Sequence, residues 1–456
     1  MQKVLIANRG EIAVRINRAC HDLGLSTVAI YSDIDAEALH VLHADEAICV
    51  GEASPHRSYL KIPNILSACE ITGADALHPG YGFLSENANF ASVCESCGLT
   101  FIGPSSATIA KLGDKMQAKI IAAKVGCPII PGSDGIVGTA KEALEAAKKV
   151  GFPVVIKAAA GGGGRGIRVA IGEKEFDRLF LAARAEGESY FGNPDVYIEK
   201  LIENPRHIEM QILGDKFDNY VHLGERDCTI QRRKQKLIEE APSPVMTEEL
   251  RKKMGQAAID IARAAGYHSA GTVEFLLDKE GNFYFMEVNT RIQVEHTVTE
   301  ELTGIDLVRA QIEIAMDKKL PFTQKDIQFR GHAIQFRINA EDPSHNFAPS
   351  PGRLEYYVPP GGPHIRVDSA AYSGYSIPRH YDSMIAKLIV RGEDRKDALR
   401  RSQRALREFH IGGVKTTIPF HLGMLEHEPF TTGDYHIGYI DELLAKGHKF
   451  SREKSE

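Results

Sequence analysis

The residues best equipped for chemistry lie between Gly271 and His296, in the segment GTVEFLLDKEGNFYFMEVNTRIQVEH. Two strand-like runs flank the turn sequence Asp278-Lys279-Glu280-Gly281-Asn282. With residues 279–282 as the loop, antiparallel pairing sets Glu274 directly opposite Glu287. Side chains alternate faces along a strand. Glu287, Asn289, Arg291, Gln293 and Glu295 therefore share one face if the strand continues, and Glu274 joins them across the ladder. Val273, Phe275, Leu277, Met286 and Val288 take the other face, which suits a core. Like charges directly opposite one another destabilise a sheet. Two carboxylates and an amide oxygen converging on one spot point instead to a hard divalent cation, which prefers oxygen ligands. A solvated hairpin face is the plainer alternative; the cleanly apolar partner face favours the metal.

A second constellation starts at the predicted strand Phe152–Ala159, which leads into Gly161-Gly162-Gly163-Gly164-Arg165-Gly166 and then the strand Ile167–Ala170. The glycines match G-x-G-x-x-G, but a strand follows where dinucleotide binding needs a helix N-terminus. No G-x-x-x-x-G-K-[ST] occurs. A glycine turn between two strands folds over a nucleotide as a flap, its N–H groups offered to phosphate oxygens. Ordering four consecutive glycines is costly, which favours a loop that closes on something over an idle hairpin tip. Lys157 ends an apolar strand beside this flap, placed either as a point charge or to snorkel into solvent. Lys115 and His207 are weaker signals by themselves. The run Gln231-Arg232-Arg233-Lys234-Gln235-Lys236, flanked by Glu239 and Glu240, reads as a charge-compensated loop or as a site for an anionic substrate. Flap, spaced lysines and a two-carboxylate strand are the equipment of phosphoryl transfer, where positioning and charge stabilisation dominate. These residues predict an ATP- and Mg²⁺-dependent enzyme with a mobile lid; they do not name the acceptor.

The elements that must position these groups follow from pattern. At 456 residues the chain has room for two or three domains. A net charge of -6 argues against a general nucleic-acid or anionic-membrane binder. No apolar run reaches membrane-spanning length, and Arg9 arrives too early for a secretory h-region. Seven cysteines without framework spacing suit a reducing cytosol. Cys94 and Cys97 read as small apolar residues near a helix end. The first hundred residues alternate: strand Val4–Ala7, helix Glu11–Leu23 stopped by Gly24, strands Val28–Tyr31 and Ala47–Val50, helix Ile62–Thr72, strand Ala76–His78. This predicts a doubly wound α/β unit. Helices broken at Gly113 span Ser105–Val125, and a Pro- and Gly-rich hinge covers Pro128–Gly138. Strands are predicted at Val196–Lys200, His207–Leu213 and Tyr220–Glu225, and a helix at Glu248–Ala265. The strand His332–Asn339 opens a β-rich region through Pro378, closed by a helix at Arg395–Phe409.

The order of glycine flap, strand lysine and paired glutamates resembles the ATP-grasp superfamily. More narrowly, the chain is similar to the biotin carboxylase family, the biotin-carboxylating component of biotin-dependent carboxylases. The resemblance rests on Ile6–Ala13 (IANRGEIA), His78–Asn87 (HPGYGFLSEN), the glycine run, Glu225–Cys228, Gln231–Arg233, Glu239–Pro242, Glu287–His296, Arg337–Pro343 and Tyr381–Met384, which span nearly the whole chain. It implies an N-terminal doubly wound α/β domain (residues 1–112), an ATP-grasp domain (113–330, with a lid at about 131–203) and a β-rich α+β C-terminal domain (331–456). It also implies roles. Lys115, Lys157, His207, Gln231 and the glycines Gly162, Gly163 and Gly164 would contact the nucleotide, Glu199 and the chain near Ile202 its adenine. Glu274, Glu287 and Asn289 would hold Mg²⁺ or Mn²⁺, two ions in all. Arg291, Gln293, the Val294 backbone and Lys236 would bind bicarbonate. Glu295 would be the general base, and Tyr81 and Arg337 would receive biotin. The implied partners are a biotin carboxyl carrier protein, a carboxyltransferase component and a second copy of the chain, in the cytoplasm. Acetyl-CoA carboxylase of fatty acid synthesis leads, with pyruvate and propionyl-CoA carboxylases as alternatives. Other ATP-grasp carboxylate–amine ligases share the flap and glutamates but do not need the Arg291–Glu295 and Arg337 set. A regulatory protein without catalysis would lack some of these groups. Lys234 departs from the His or Asn of many members. No Ala-Met-Lys-Met occurs in this sequence, and the expectation is that biotin is carried on another polypeptide or supplied free. The Glu287→Gln enzyme is expected to need far more Mg²⁺ for activity; a metal titration with unchanged half-saturation would refute liganding.

Overall fold

The computed structural model describes residues 1–133, 135–159 and 166–450. Its first unit rests on short strands apolar on both faces: β1 (Lys3–Ile6), β2 (Ser26–Ser32), β3 (Glu46–Gly51), β4 (Ala76–His78) and β5 (Thr100–Phe101). They pair in parallel in the order β3-β2-β1-β4-β5. Val4 and Ile6 enter one hydrophobic cluster, Leu5 and Ala7 another. Both faces are therefore covered, as parallel sheets require. The helix Gly10–Asp22 leaves β1 and buries Ile12, Ile16 and Ala19. Gly24, at φ +71°, turns the chain into β2 with left-handed backbone that suits glycine.

A three-stranded antiparallel layer follows: β6 (Val154–Ala158), β7 (Ile167–Ala170) and β8 (Val196–Lys200), in the order β7-β6-β8. Helices Ala140–Val150 and Glu173–Phe191 back it through Ala143, Ala147, Phe176 and Phe180. The glycines Gly162, Gly163 and Gly164 lie outside the described residues.

The site is carried by an eight-stranded sheet. Its strands are β9 (Arg206–Gly214), β10 (Tyr220–Arg232), β11 (Gln235–Ala241), β12 (Ser269–Leu277), β13 (Phe283–Asn289), β14 (His332–Asn339), Ile365–Ser369 and Met384–Gly392. The order is β13-β12-β9-β10-β11-β14, then Met384–Gly392, then Ile365–Ser369. Strand period sorts the faces. Ile208, Met210, Ile212, Val273, Phe275 and Leu277 pack with Met254, Ala258 and Ile261 of the helix Glu248–Ala265. His207, Glu209, Gln211, Thr272 and Glu274 take the opposite face. β10 extends seven residues beyond the predicted end at Glu225. Its polar stretch looks like a loop but is buried, because its charges are paired: Arg226 is fully enclosed and donates to Glu209, Gln211, Thr272 and Thr299.

The sheet is continuous across residue 331, since β11 pairs with β14, Glu240 facing Ile334. Glu240 anchors this seam. It accepts from His332 Nε2 at 2.7 Å, from Arg395 Nε at 2.7 Å and Nη2 at 3.0 Å, and from Tyr435. Burial opposes its ionisation, but His332 and Arg395 outweigh that cost and bring its pKa from 4.5 down to about 2. A depressed carboxylate stabilises the fold above its unfolded pKa, and that contribution fades as pH falls from about 4.5 to about 2. Glu240→Gln is expected to cost about 3 kcal/mol near neutrality. It should also flatten the acid limb in that window, as measured by denaturant titrations at stepped pH.

Candidate active site

Four aligned strand positions set the electrostatic problem. Glu287 on β13 faces Glu274 on β12, Glu274 faces Glu209 on β9, and Glu209 faces Arg226 on β10. Three carboxylates thus stand in a row, Glu209 and Glu274 buried and Glu287 half-buried. Lys236, on β11, supplies the central compensating charge: its Nζ lies 2.7 Å from Glu209, 3.1 Å from Glu274 and 2.6 Å from Glu295. Burial disfavours the charged ammonium, yet these partners hold its pKa well above the ordinary lysine value. His207 Nε2 adds a bond to Glu274 at 2.9 Å, and Gln231 lies 3.4 Å from His207 Nδ1.

The opposition of Glu274 and Glu287 matches the expected register, by a different route. The turn is one residue longer than expected, pairing Leu277 with Phe283 and Phe275 with Phe285. A bulge at Met286 restores the offset, so that Glu274 meets Glu287. As a result Met286 lines the cavity instead of the core, and Phe285 enters the core cluster. The expected strand also does not continue to Glu295. It ends at Asn289, and Glu295 is the residue preceding the helix His296–Thr303. The chain wraps around the site instead. Arg291 donates to Glu86 at 2.9 Å, Gln293 at 2.9 Å and Asn289 at 3.1 Å, while Gln293 reaches Glu274 at 3.3 Å.

Arg337 on β14 closes the far side. It pairs with Glu239 and reaches Glu295 Oε2 at 3.0 Å. Burial alone would raise the Glu295 pKa, but Lys236, Arg337 and Arg226 hold it well below the usual carboxylate range. Burial works in the same way on Glu274, and Lys236 and His207 outweigh it. Tyr81 donates its hydroxyl to Glu11.

A cavity of about 960 Å³ joins these groups to the three-stranded layer. Met116, Ile130, Tyr197, Leu276, Phe285 and Ile437 give its wall an apolar component. Lys115, Lys119, Lys157, Lys234 and Lys236 also line it. Lys115 opens the helix Lys115–Lys124, whose first turn is capped by Asp114 Oδ1 on the N–H groups of Met116 and Gln117. Its Nζ lies 3.3 Å from Glu287. Lys157 on β6 pairs with Glu199 on β8. Lys119, absent from the sequence expectations, reaches the same Glu199 at 2.9 Å. Its signal was available, since it sits one helical turn beyond Lys115. Lys234 lines the cavity from a two-residue turn in which Arg233 and Lys234 both have positive φ, 46° and 69°. Such turns favour Asn-Gly, and non-glycine residues there cost roughly 1–2 kcal/mol each. Burial, with Lys157 and Lys115 nearby, lowers the Lys234 pKa.

Tyr81, Lys115, Lys157, Glu199, His207, Gln231, Lys236, Glu274, Glu287, Asn289, Arg291, Gln293, Val294 and Arg337 all line this one cavity. Ile202 is half-buried and stands outside its lining. Glu295 lies directly behind the lining, fully buried. The buried partners Glu209, Glu239 and Glu11 were not anticipated, because a paired interior carboxylate has the same sequence appearance as a surface one. The donor chemistry fits a hard cation. Glu274 and Glu287 present carboxylate oxygens across the ladder, and phosphate oxygens would complete a Mg²⁺ shell. Asn289 Oδ1 is held by Arg291, and its amide donates to Glu274 at 2.9 Å. Two other groups also gather ligand atoms within 4.8 Å: His207 with Glu209 and Glu274, and Glu209 with Cys228 and Glu295. In those groups Lys236 pairs with Glu209, Glu274 and Glu295, and Arg226 with Glu209.

Fold and site together define the ATP-grasp class of ATP-dependent ligases. The family described as "Carbamoyl-phosphate synthase L chain, ATP binding domain" matches residues 114–323. "Biotin carboxylase, N-terminal domain" matches 1–109 and "Biotin carboxylase C-terminal domain" 335–442. A biotin carboxylase of Nostoc sp. is 56% identical over 441 residues, covering 97% of this chain and 99% of that one. A pyruvate carboxylase subunit of Methanothermobacter thermautotrophicus is 53% identical over 458 residues, covering 100% and 93%. The biotin carboxylase domain dimer of Hydrogenobacter thermophilus 2-oxoglutarate carboxylase, solved with MgADP, ADP and bicarbonate, superimposes with a TM-score of 0.93 at 49% identity, covering 99% of each chain. The chain belongs to the biotin carboxylase family.

Proposed function

We propose that this chain carboxylates biotin on a carrier protein, using ATP and bicarbonate. The observation that carries the reading is the placement of Glu295 between Lys236 and Arg337, directly behind a cavity lined by apolar side chains and by Lys115, Lys157 and Lys234. The apolar lining residues suit a nucleotide base, and Lys115, Lys157 and Lys234 would lie along the phosphates. Lys119 would share Glu199 with Lys157 and so tune how firmly Lys157 is held. Mg²⁺ between Glu274 and Glu287 would neutralise charge developing on the phosphates.

Bicarbonate would lie against Arg291, Gln293 and Val294, where the guanidinium fork suits a planar oxyanion. Its arrival would draw Lys236 and Arg337 away from Glu295, raising the proton affinity of that carboxylate so that it can act as base. The bicarbonate oxygen then attacks the γ-phosphorus, ADP leaves, and the resulting carboxyphosphate splits into CO₂ and phosphate. Phosphate takes the ureido proton of biotin, Arg337 stabilises the enolate, and the ureido nitrogen attacks CO₂. Tyr81 faces the same chamber as Arg337.

The acceptor component is proposed to be the carboxyltransferase of acetyl-CoA carboxylase, within fatty acid synthesis. The 53% identity to the Methanothermobacter pyruvate carboxylase component supports pyruvate as a second reading. The dimer of the Hydrogenobacter relative supports a homodimer here. All seven cysteines are free thiols, and no helix among the described residues is long and apolar enough to cross a membrane; both suit work in the cytoplasm.

Phosphate release from MgATP should depend on bicarbonate and rise with free biotin. Stimulation by an amine without response to biotin would favour a carboxylate–amine ligase. The Glu295→Gln enzyme should lose biotin carboxylation by several orders of magnitude with nearly unchanged ADP affinity; equal loss of both in a folded variant would remove its role as base.

A further inference from the structure

We propose that Lys387 is a positioning residue for both bicarbonate and biotin, holding the Val294 carbonyl and, through Glu11, the Tyr81 hydroxyl. The inference deepens the function proposed above and rests on it.

Lys387 sits in the middle of Met384–Gly392, flanked by the buried apolar residues Ile385, Ala386, Leu388 and Ile389, and is itself fully buried. An ammonium in such a place is costly unless paired and hydrogen-bonded. Its Nζ forms an ion pair with Glu11 Oε1 at 3.0 Å and donates to the Val294 carbonyl at 3.1 Å, with Asp368 farther off at 3.9 Å. Asp368 is already committed to Arg366, two bonds of 2.8 Å each. The ammonium's close partners are therefore the two that lead to the cavity.

Each belongs to a different part of the chain. Glu11 is the second residue of the helix Gly10–Asp22, and its Oε1 also accepts the Tyr81 hydroxyl. Val294 lies in the segment between β13 and the helix His296–Thr303. One buried charge thus ties the N-terminal unit, the bicarbonate segment and the C-terminal strand at a single point. Pinning the Val294 carbonyl sets the peptide that leads into Glu295, and with it the approach of both residues to the cavity. Pinning Glu11 sets the tyrosine that faces biotin. Glu11 Oε2 has no partner among the described residues, so Oε1, shared by Lys387 and Tyr81, carries the carboxylate's contacts. Burial pushes the Glu11 pKa up and the Lys387 charge opposes it. None of the contacts of Lys387 is with Lys115, Lys157 or Lys234.

The test is steady-state kinetics of Lys387→Met with bicarbonate, free biotin and MgATP varied separately. KM for bicarbonate and for biotin should each rise by about tenfold or more, the scale of a lost hydrogen bond to a charged group. KM for ATP should stay within about twofold. A purely structural clamp would lower yield or melting temperature and leave all three KM values in place, or raise them equally; either result overturns the proposal. Should Lys387→Met fail to fold, Lys387→Met/Glu11→Gln removes both buried charges together, and the same split is expected of it. Ordinary KM values for bicarbonate and biotin in that double variant would also overturn the proposal. Wild-type protein assayed alongside must respond to both substrates; no response there would remove the proposed function itself, a separate failure.

Discussion

The ammonium of Lys236 is the charge on which the arrangement of the site depends. Glu209, Glu274 and Glu295 come from β9, β12 and the segment before a helix, and all three are buried around it. Without a cation at their centre, mutual repulsion and desolvation would each work against folding, and breaking a buried ion pair typically costs 3–5 kcal/mol. Arg226 repeats the logic one strand further on, with hydrogen bonds to four neighbours. The polar interior is stable because almost every charge in it has a geometric partner. It is also poised, because an anion entering the cavity competes for the same cations.

Backbone irregularities place the charges. The bulge at Met286 sets Glu287 across from Glu274 after a turn of the wrong length for a regular ladder. The Arg233–Lys234 turn accepts left-handed backbone at two long side chains and brings β11 back against β10, so that Lys236 lies opposite Gln231. Strain of this kind persists where surrounding structure over-determines it, and it concentrates at functional sites.

Much of this was legible in the sequence. The helices Ile62–Thr72 and Glu248–Ala265 and the strands Ala76–His78, Ile167–Ala170, Val196–Lys200 and His332–Asn339 fall at their predicted bounds, because apolar period and glycine or proline punctuation agree there. The face shared by Glu274, Glu287 and Asn289 followed from strand alternation. What stayed hidden was compensation. Strand β10 was cut short at Glu225 because a run of charges resembles a loop until its partners, distant in sequence, are known. Lys387 and Glu11, 376 positions apart, are the extreme case: each reads as an ordinary charge within an apolar element. The bulge at Met286 has no local signature, so the correct opposition of the glutamates concealed a turn one residue longer than assumed.

The seam between β11 and β14 carries a consequence for how the chain can be divided. Four residues of each strand are joined there, Ile238 to Ala241 against Ala333 to Phe336. A cut or bulky graft near residue 331 would separate partners that satisfy one another's main-chain groups. Two naked rims of strand would result, each a template for pairing with another molecule. Fragments made by splitting at that point would be prone to clump, and engineering of this scaffold is safer at surface turns remote from the shared ladder.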